Sequence, residues 1–359
     1  MDWQIIMFLF LGFAILIGGA EFLVGGASRL ALDLGLSPLV VGLTIVAFGT
    51  SSPELAVSLF SSHGGQSGLA LGNVVGSNIC NILLILGVSA LIAPLVVSRQ
   101  IIQLEVPIML GASLVMFLFC LNGSIAPWEG LLLFAGAIVY TIWTIRRCRR
   151  EHLKALEADP GIAPEHKSRK SFQLLKILAG LIMLGLGSRW LVSSAVDIAR
   201  FFQVSDLVIG LTIVAVGTSL PELATSALAA LRGQRDIAVG NVVGSNLFNI
   251  LIVLGLTAGV TPGGLPVPPS ALLLDLPVML AVSAACLPIF FTGHRIARWE
   301  GGLFFCYFLL YNLFIILNAL EDQHLGLLVQ ATTVFIIPLT LVTLVISLWR
   351  HLHRSRISS

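Results

Sequence analysis

The chain contains one segment twice. Residues Ser37 to Gly87 align without a gap on Ser205 to Gly255 at a constant offset of 168, and 32 of the 51 positions are identical. Two halves related this closely fold alike, and each copy holds an unusual combination: a Glu directly after a Pro, inside a long apolar run. The first copy reads Gly49-Thr50-Ser51-Ser52-Pro53-Glu54 and the second reads Gly217-Thr218-Ser219-Leu220-Pro221-Glu222.

With 57% hydrophobic and 11% charged residues, the 359-residue chain lies far outside the soluble globular range. Continuous apolar runs predict eleven membrane-spanning helices, at about 4–26, 36–60, 69–94, 105–121, 127–145, 172–192, 204–230, 237–260, 272–291, 298–318 and 326–349. A transmembrane barrel would need short alternating strands instead. The first run lacks the basic segment of a signal peptide, and its Gly19-Ala20-Glu21-Phe22-Leu23-Val24 falls on Gly187-Ser188-Arg189-Trp190-Leu191-Val192 at the same offset, so it reads as retained.

Five helices precede the basic linker, so the second copy enters the membrane from the opposite face and the halves are inverted. The predicted fold class is an all-α polytopic membrane protein with a 5+5 inverted-repeat core and one extra C-terminal helix. Its expected division is 1–145 for the first repeat, 146–171 for a flexible basic linker, 172–318 for the second repeat, and 319–359 for an accessory helix with a basic tail. Inverted repeats of this kind build secondary transporters, with the substrate at the midplane between the halves.

An N-terminus outside and a C-terminus in the cytoplasm place 18 of the 20 Lys and Arg residues on the cytoplasmic side. Nine lie between Arg146 and Lys176, and Arg350, Arg354 and Arg356 follow in the tail. This basic surface faces anionic lipid rather than nucleic acid. The compact form and the absence of targeting features point to a bacterial inner membrane. The five cysteines show no paired spacing, so no disulfide framework or thiolate metal site is expected.

Pro53 and Pro221 have no amide hydrogen, so the carbonyls near Gly49 and Gly217 lose their helical partners and the helices break. Unwound backbone at this depth is tolerated only where it lines a cavity or is buried in protein. Thr50, Ser51, Thr218 and Ser219 add hydroxyls at the breaks, and Glu54 and Glu222 add charge. The second motif, Gly-Asn-Val-Val-Gly-Ser-Asn in both copies, aligns Asn73, Ser77 and Asn81 on one helix face, and Asn241, Ser245 and Asn249 on another. Two carboxylates among neutral oxygens suit a hard cation: one Ca2+, or several Na+ sharing the same oxygens. His and Cys are absent from the motifs, which argues against Zn2+ or Cu2+. Glu21, Arg189, Glu105, Asp275, Glu129 and Glu300 fall near span ends and read as interfacial or snorkelling residues.

These paired motifs resemble the alpha repeats of the sodium/calcium exchanger family, in the compact form of its prokaryotic members, over roughly residues 1–318. The resemblance implies a ten-helix core that exchanges Ca2+ for Na+ by alternating access. Glu54 and Glu222 would hold Ca2+ and share in binding Na+. Thr50 and Thr218 would offer carbonyls, and Ser51, Ser77, Ser219 and Ser245 would complete the Na+ sites. Asn81 and Asn249 would lie between the two halves of the site. Potassium-dependent relatives carry Asp at the position of Asn249; its absence here weakens the case for K+ cotransport. A Ca2+/H+ exchanger, with one Glu carrying the proton, is the nearest alternative, and a passive cation channel is a further one. No hydrolase or metalloprotease motif points to an enzyme, and no cofactor is expected beyond the transported ions.

Overall fold

The computed structural model describes residues 3–63, 67–158, 170–343 and 345. Among them, nine helices are long and apolar enough to cross a membrane. In chain order the first half is α1 (Trp3–Leu34), α2 (Pro38–Thr50), α3 (Ser52–His63), α4 (Gly68–Ile92), α5 (Ile101–Cys120) and α6 (Pro127–Ala158). The second half is α7 (Lys170–Phe201), α8 (206–217), α9 (Leu220–Leu231), α10 (Arg235–Val260), α11 (Ala271–His294) and α12 (Arg298–Ala319), and α13 (Leu325–Thr343) stands after it. A tenth span is the bent pair α2 and α3, and α9 is a shorter apolar helix that follows α8 after a break. The axes of α2 and α3 differ by 41° across Ser51, and α8 and α9 meet at Thr218 and Ser219.

Inversion is visible in the packing of α1 on α7. Gly12 meets Gly187, Gly19 meets Gly180 and Gly26 meets Gln173, so residue numbers rise on one helix as they fall on the other. Equivalent helices thus run antiparallel. The seven-residue spacing of these glycines keeps one backbone against the other; an added Cβ at Gly19 would lie 2.8 Å from Leu184 N. Small residues permit this approach where no hydrophobic force drives helices together in lipid.

Four two-residue strands join the halves: β1 (Leu95–Val96), β2 (Ser124–Ile125), β3 (Leu265–Pro266) and β4 (Arg295–Ile296). β1 pairs antiparallel with β4 and β2 with β3, with Leu95 opposite Ile296 and Ser124 opposite Pro266. Each ribbon links one half to the other, at opposite faces of the helix bundle. Helix α13 packs on the outside of α12, where Tyr307 donates to Thr340 Oγ1 at 2.8 Å.

Several sequence expectations change. α6 continues through the basic residues to Ala158, so the first part of the 146–171 linker is helical rather than flexible, and Arg147 and Glu151 pair one turn apart at 2.9 Å. Residues 159–169 and the tail with Arg350, Arg354 and Arg356 lie outside the described residues, as does most of the predicted span beyond 343. The interfacial reading of Glu105, Asp275, Glu129 and Glu300 is corrected. Glu105 is fully buried and receives Tyr140 Oη at 2.7 Å and Gln100 Nε2 at 2.9 Å; its repeat mate Asp275 receives Tyr311 Oη at 2.8 Å. Glu129 and Glu300 turn back to accept the amides of Ala126 and Ala297, which caps the starts of α6 and α12. Glu105, Glu129 and Glu300 are buried and Asp275 is half-buried, and each is held by hydrogen bonds inside the protein, which snorkelling would not require. Glu21 forms an ion pair with Arg232 at the end of α9.

Candidate functional site

The two breaks meet at the centre of the fold. Proline at the second position of α3 and α9 removes one amide donor from the backbone, and Ser51 and Ser219 leave the helical path there, with ψ near 4° and 5°. The carbonyl of Gly217, four residues before Pro221, is taken up by the hydroxyl of Ser188 at 2.8 Å. The corresponding residue of the first half is Ala20, which has no hydroxyl to offer Gly49. Each break is preceded by a π-helical turn, Gly42–Val46 and Gly210–Val214, and a second equivalent pair, Asn81–Leu86 and Asn249–Leu254, starts at the two asparagines. Such turns are rare and gather at functional sites.

Glu54 and Glu222 are each 1% exposed. Each carboxylate accepts a hydrogen bond from the serine at the other half's break: Ser51 Oγ donates to Glu222 Oε1 at 3.1 Å, and Ser219 Oγ to Glu54 Oε1 at 3.5 Å. Ser219 also lies 3.4 Å from Ser77 Oγ. Asn73 and Asn241 brace the breaks from α4 and α10. Asn73 Nδ2 donates to the Glu54 carbonyl and to Ser58 Oγ, and Asn241 Nδ2 to the Glu222 carbonyl and to Ser226 Oγ. Thr50 Oγ1 reaches Asn241 Oδ1 at 3.2 Å.

The unpaired atoms are as informative as the paired ones. Twelve buried side-chain polar atoms among the described residues lack a hydrogen-bond partner, and six belong to the predicted set: Glu54 Oε2, Glu222 Oε2, Asn81 Oδ1, Asn249 Oδ1, Thr218 Oγ1 and Ser245 Oγ. A buried oxygen without a partner costs roughly 1–3 kcal/mol, more when charged. Six in one sequence-defined group, from both halves, form an oxygen-rich donor set suited to a hard cation.

All twelve predicted residues lie on α4 and α10 or on the two broken pairs, α2–α3 and α8–α9, with Ser51, Thr218 and Ser219 at the breaks themselves. Ten are fully buried, and Asn73 and Thr218 are half-buried. Five contributors were not anticipated from the sequence. Asn78 and Asn246 bond Asn249 and Asn81 respectively, Ser188 caps the second break, and Ser58 with Ser226 holds the two bracing asparagines. Asn78 and Asn246 were visible as the last letter of the repeated Gly-Asn-Val-Val-Gly-Ser-Asn motif. The four-residue spacing set them aside, about 100° round the helix from Ser77.

The two halves are packed differently around the site. Gly42 lies against the backbone of Ile237, so α2 is seated on α10. Its repeat mate Gly210 has nothing within 4 Å of an added Cβ. Val46 is 0% exposed and Val214 47%; Ile237 is 0% exposed and Leu69 58%. The α2–α10 contact is closed, and the equivalent α8–α4 contact is open.

Similarity to known proteins agrees with this arrangement. A family model described as "Sodium/calcium exchanger protein" matches residues 4–146 and 172–317. The chain is 40% identical over 286 residues to inner membrane protein YrbG of Escherichia coli, covering 77% of this chain and 85% of that one. It is 33% identical over 329 residues to the sodium/calcium exchanger MaX1 of Methanosarcina acetivorans, covering 82% and 93%. A solved structure of the sodium-calcium exchanger NCX_Mj superposes with a TM-score of 0.73 at 31% identity, over 85% of this chain and 97% of that one. The chain is an integral membrane transporter and belongs to the sodium/calcium exchanger protein family.

Proposed function

We propose that this cation antiporter exchanges Ca2+ for Na+ at the site between the two helix breaks, by alternating access. Glu54 and Glu222 hold Ca2+, with Asn81 and Asn249 offering amide oxygens. Ser51, Ser77, Ser219 and Ser245 serve Na+ together with the two Glu, and carbonyls at Thr50 and Thr218 complete the set. Asn73 and Asn241 hold the broken backbone. The observation that carries the reading is the group of six buried, unpartnered oxygens drawn from both repeats, two from the first and four from the second. Two carboxylates match one divalent cation in charge, and the same oxygens shared among Na+ make binding of the two ions mutually exclusive.

Alternating access is supported by the unequal packing of the two repeats. One sequence pattern occupies two arrangements in one molecule, closed at α2–α10 and open at α8–α4, which are the two arrangements a transporter must exchange. With the N-terminus outside, as the basic residues indicate, the open contact faces outward. The bounds of the family match favour five-helix units at 1–145 and 172–318, with 319–359 as an accessory segment.

The test is Ca2+ uptake into proteoliposomes loaded with Na+ and diluted into Na+-free or Na+-containing buffer, with a protonophore in parallel. Uptake that needs the Na+ gradient, persists without a pH gradient and disappears in Glu54→Gln and Glu222→Gln is the expected result. Uptake that follows the pH gradient instead would replace Na+ by H+ as the coupling ion, and unitary currents would replace exchange by a channel.

A further inference from the structure

The amide nitrogens of Asn81 and Asn249 are committed away from the site, each to an asparagine of the opposite half. Asn81 Nδ2 donates to Asn246 Oδ1 at 2.9 Å, and Asn249 Nδ2 to Asn78 Oδ1 at 3.1 Å. All four side chains are 1% exposed. A carboxamide has one donor end and one acceptor end, so fixing its NH2 fixes where its oxygen points. The oxygens of Asn81 and Asn249 are the ends left buried without a partner.

Asn78 and Asn246 are themselves oriented. Asn78 Nδ2 donates to the Asn246 carbonyl at 3.4 Å and approaches Met279 Sδ at 3.7 Å, and Asn246 Nδ2 approaches Met109 Sδ at 3.6 Å. Their nitrogens therefore face α11 and α5, and their oxygens face the two ligand asparagines. The same arrangement occurs in both repeats, although α4 and α10 have different neighbours elsewhere.

We propose that Asn78 and Asn246 are positioning residues for cation binding, which hold Asn249 and Asn81 with oxygen toward the ion and NH2 away from it. This rests on the reading of Asn81 and Asn249 as ligands. Without the clamp either amide can turn, and the positive NH2 end then faces a divalent cation. The clamp also bears on charge. A carboxylate at position 249 would set an oxygen against Asn78 Oδ1 with no hydrogen between them, so Asn78 favours a neutral amide there.

The experiment is equilibrium binding of radioactive Ca2+ to the full-length protein in detergent, with the melting temperature of the Ca2+-free protein measured alongside. Asn78→Ala and Asn246→Ala are expected to weaken binding by about tenfold each, the scale of one buried hydrogen bond. Asn78→Asp keeps an acceptor for Asn249 and, when protonated, a donor for the Asn246 carbonyl, so it is expected to restore binding to within about threefold of the unaltered protein. A lowered melting temperature with unchanged Ca2+ affinity would overturn the proposal and leave a structural role. Equal losses in the Ala and Asp variants would overturn it too. Glu54→Gln and Glu222→Gln separate the two levels. If they leave binding intact, the site reading fails; if they abolish it while both Ala variants bind normally, only the positioning role fails.

Discussion

Thr50 hydrogen-bonds Asn241 across the two halves at 3.2 Å, while Thr218, its repeat mate, has its hydroxyl buried without a partner. The residue corresponding to Asn241 is Asn73, and its amide nitrogen is occupied as that of Asn241 is, by the neighbouring Glu carbonyl and a serine. One Thr–Asn bond is made and its equivalent is not, on the same two sides where the helix contacts are closed and open. A hydrogen bond that forms on whichever side is shut would bias the exchange between the two packings.

The bias is measurable. A neutral buried hydrogen bond contributes about 0.5–1.5 kcal/mol, which shifts a two-state population by roughly 2- to 10-fold. Thr50→Val is therefore expected to loosen the closed contact. The measurement is labelling of Val46→Cys and Val214→Cys by a membrane-impermeant thiol reagent, with the exposed Cys306 replaced by Ser. Labelling at position 46 should rise and labelling at 214 should fall. Unchanged labelling at both would show that Thr50 does not hold the interface.

Ser51 and Ser219 each serve the carboxylate of the opposite half. Hydrogen bonds to charged groups are worth about 1.5–3 kcal/mol, so Ser51→Ala and Ser219→Ala are each expected to raise the KM for Ca2+ by at least about tenfold. Ser52→Ala is the control, because its hydroxyl bonds the Phe48 carbonyl one turn back on an exposed surface. A KM for both site variants equal to that of the control would remove these serines from the site.

The helix breaks are not equally secured. Ser188 takes up the Gly217 carbonyl, and Ser188→Ala leaves that buried acceptor unpaired at a cost of about 1–3 kcal/mol. A clear fall in melting temperature in detergent is expected. Ala20→Ser places the missing hydroxyl near the first break and should not destabilise the protein. A Ser188→Ala protein that melts with the unaltered one would show that the carbonyl finds another donor.

Much of this architecture could be read in the sequence. The offset of 168 implied two equivalent halves, the odd helix number implied their inversion, and Pro53 and Pro221 located both breaks. Three features could not be read, for different reasons. Asn78 and Asn246 sit off the face that helical spacing selects, and they become contacts only because the opposite half crosses there. Glu105 and Asp275 lie near the ends of apolar runs, and nothing local shows that Tyr140 and Tyr311, some 35 residues later, return to bond them. The difference between α2–α10 and α8–α4 is the deepest case. The repeats share 32 of 51 letters, including both motifs, so the pattern does not tell the two packings apart and only the folded chain shows which side has closed.

The α1–α7 contact offers a prediction that depends on backbone alone. A Cβ added at Gly187 would lie 2.6 Å from Leu16 N and 2.8 Å from Gly12 O, both main-chain atoms that cannot rotate aside. Gly187→Ala must push the two helices apart, at about 1–3 kcal/mol for an overpacked contact. Gly185 lies two residues away on the same helix, and an added Cβ there meets nothing within 4 Å. Gly185→Ala therefore removes only the flexibility of a helical glycine and should stabilise by about 0.5–1 kcal/mol. Thermal unfolding in one detergent should move in opposite directions for the two variants. If both stabilise the protein, α1 and α7 do not rely on close glycine contact. If Gly187→Ala alone falls, the two antiparallel helices hold together through their backbones, as the heptad spacing of Gly12, Gly19 and Gly26 requires.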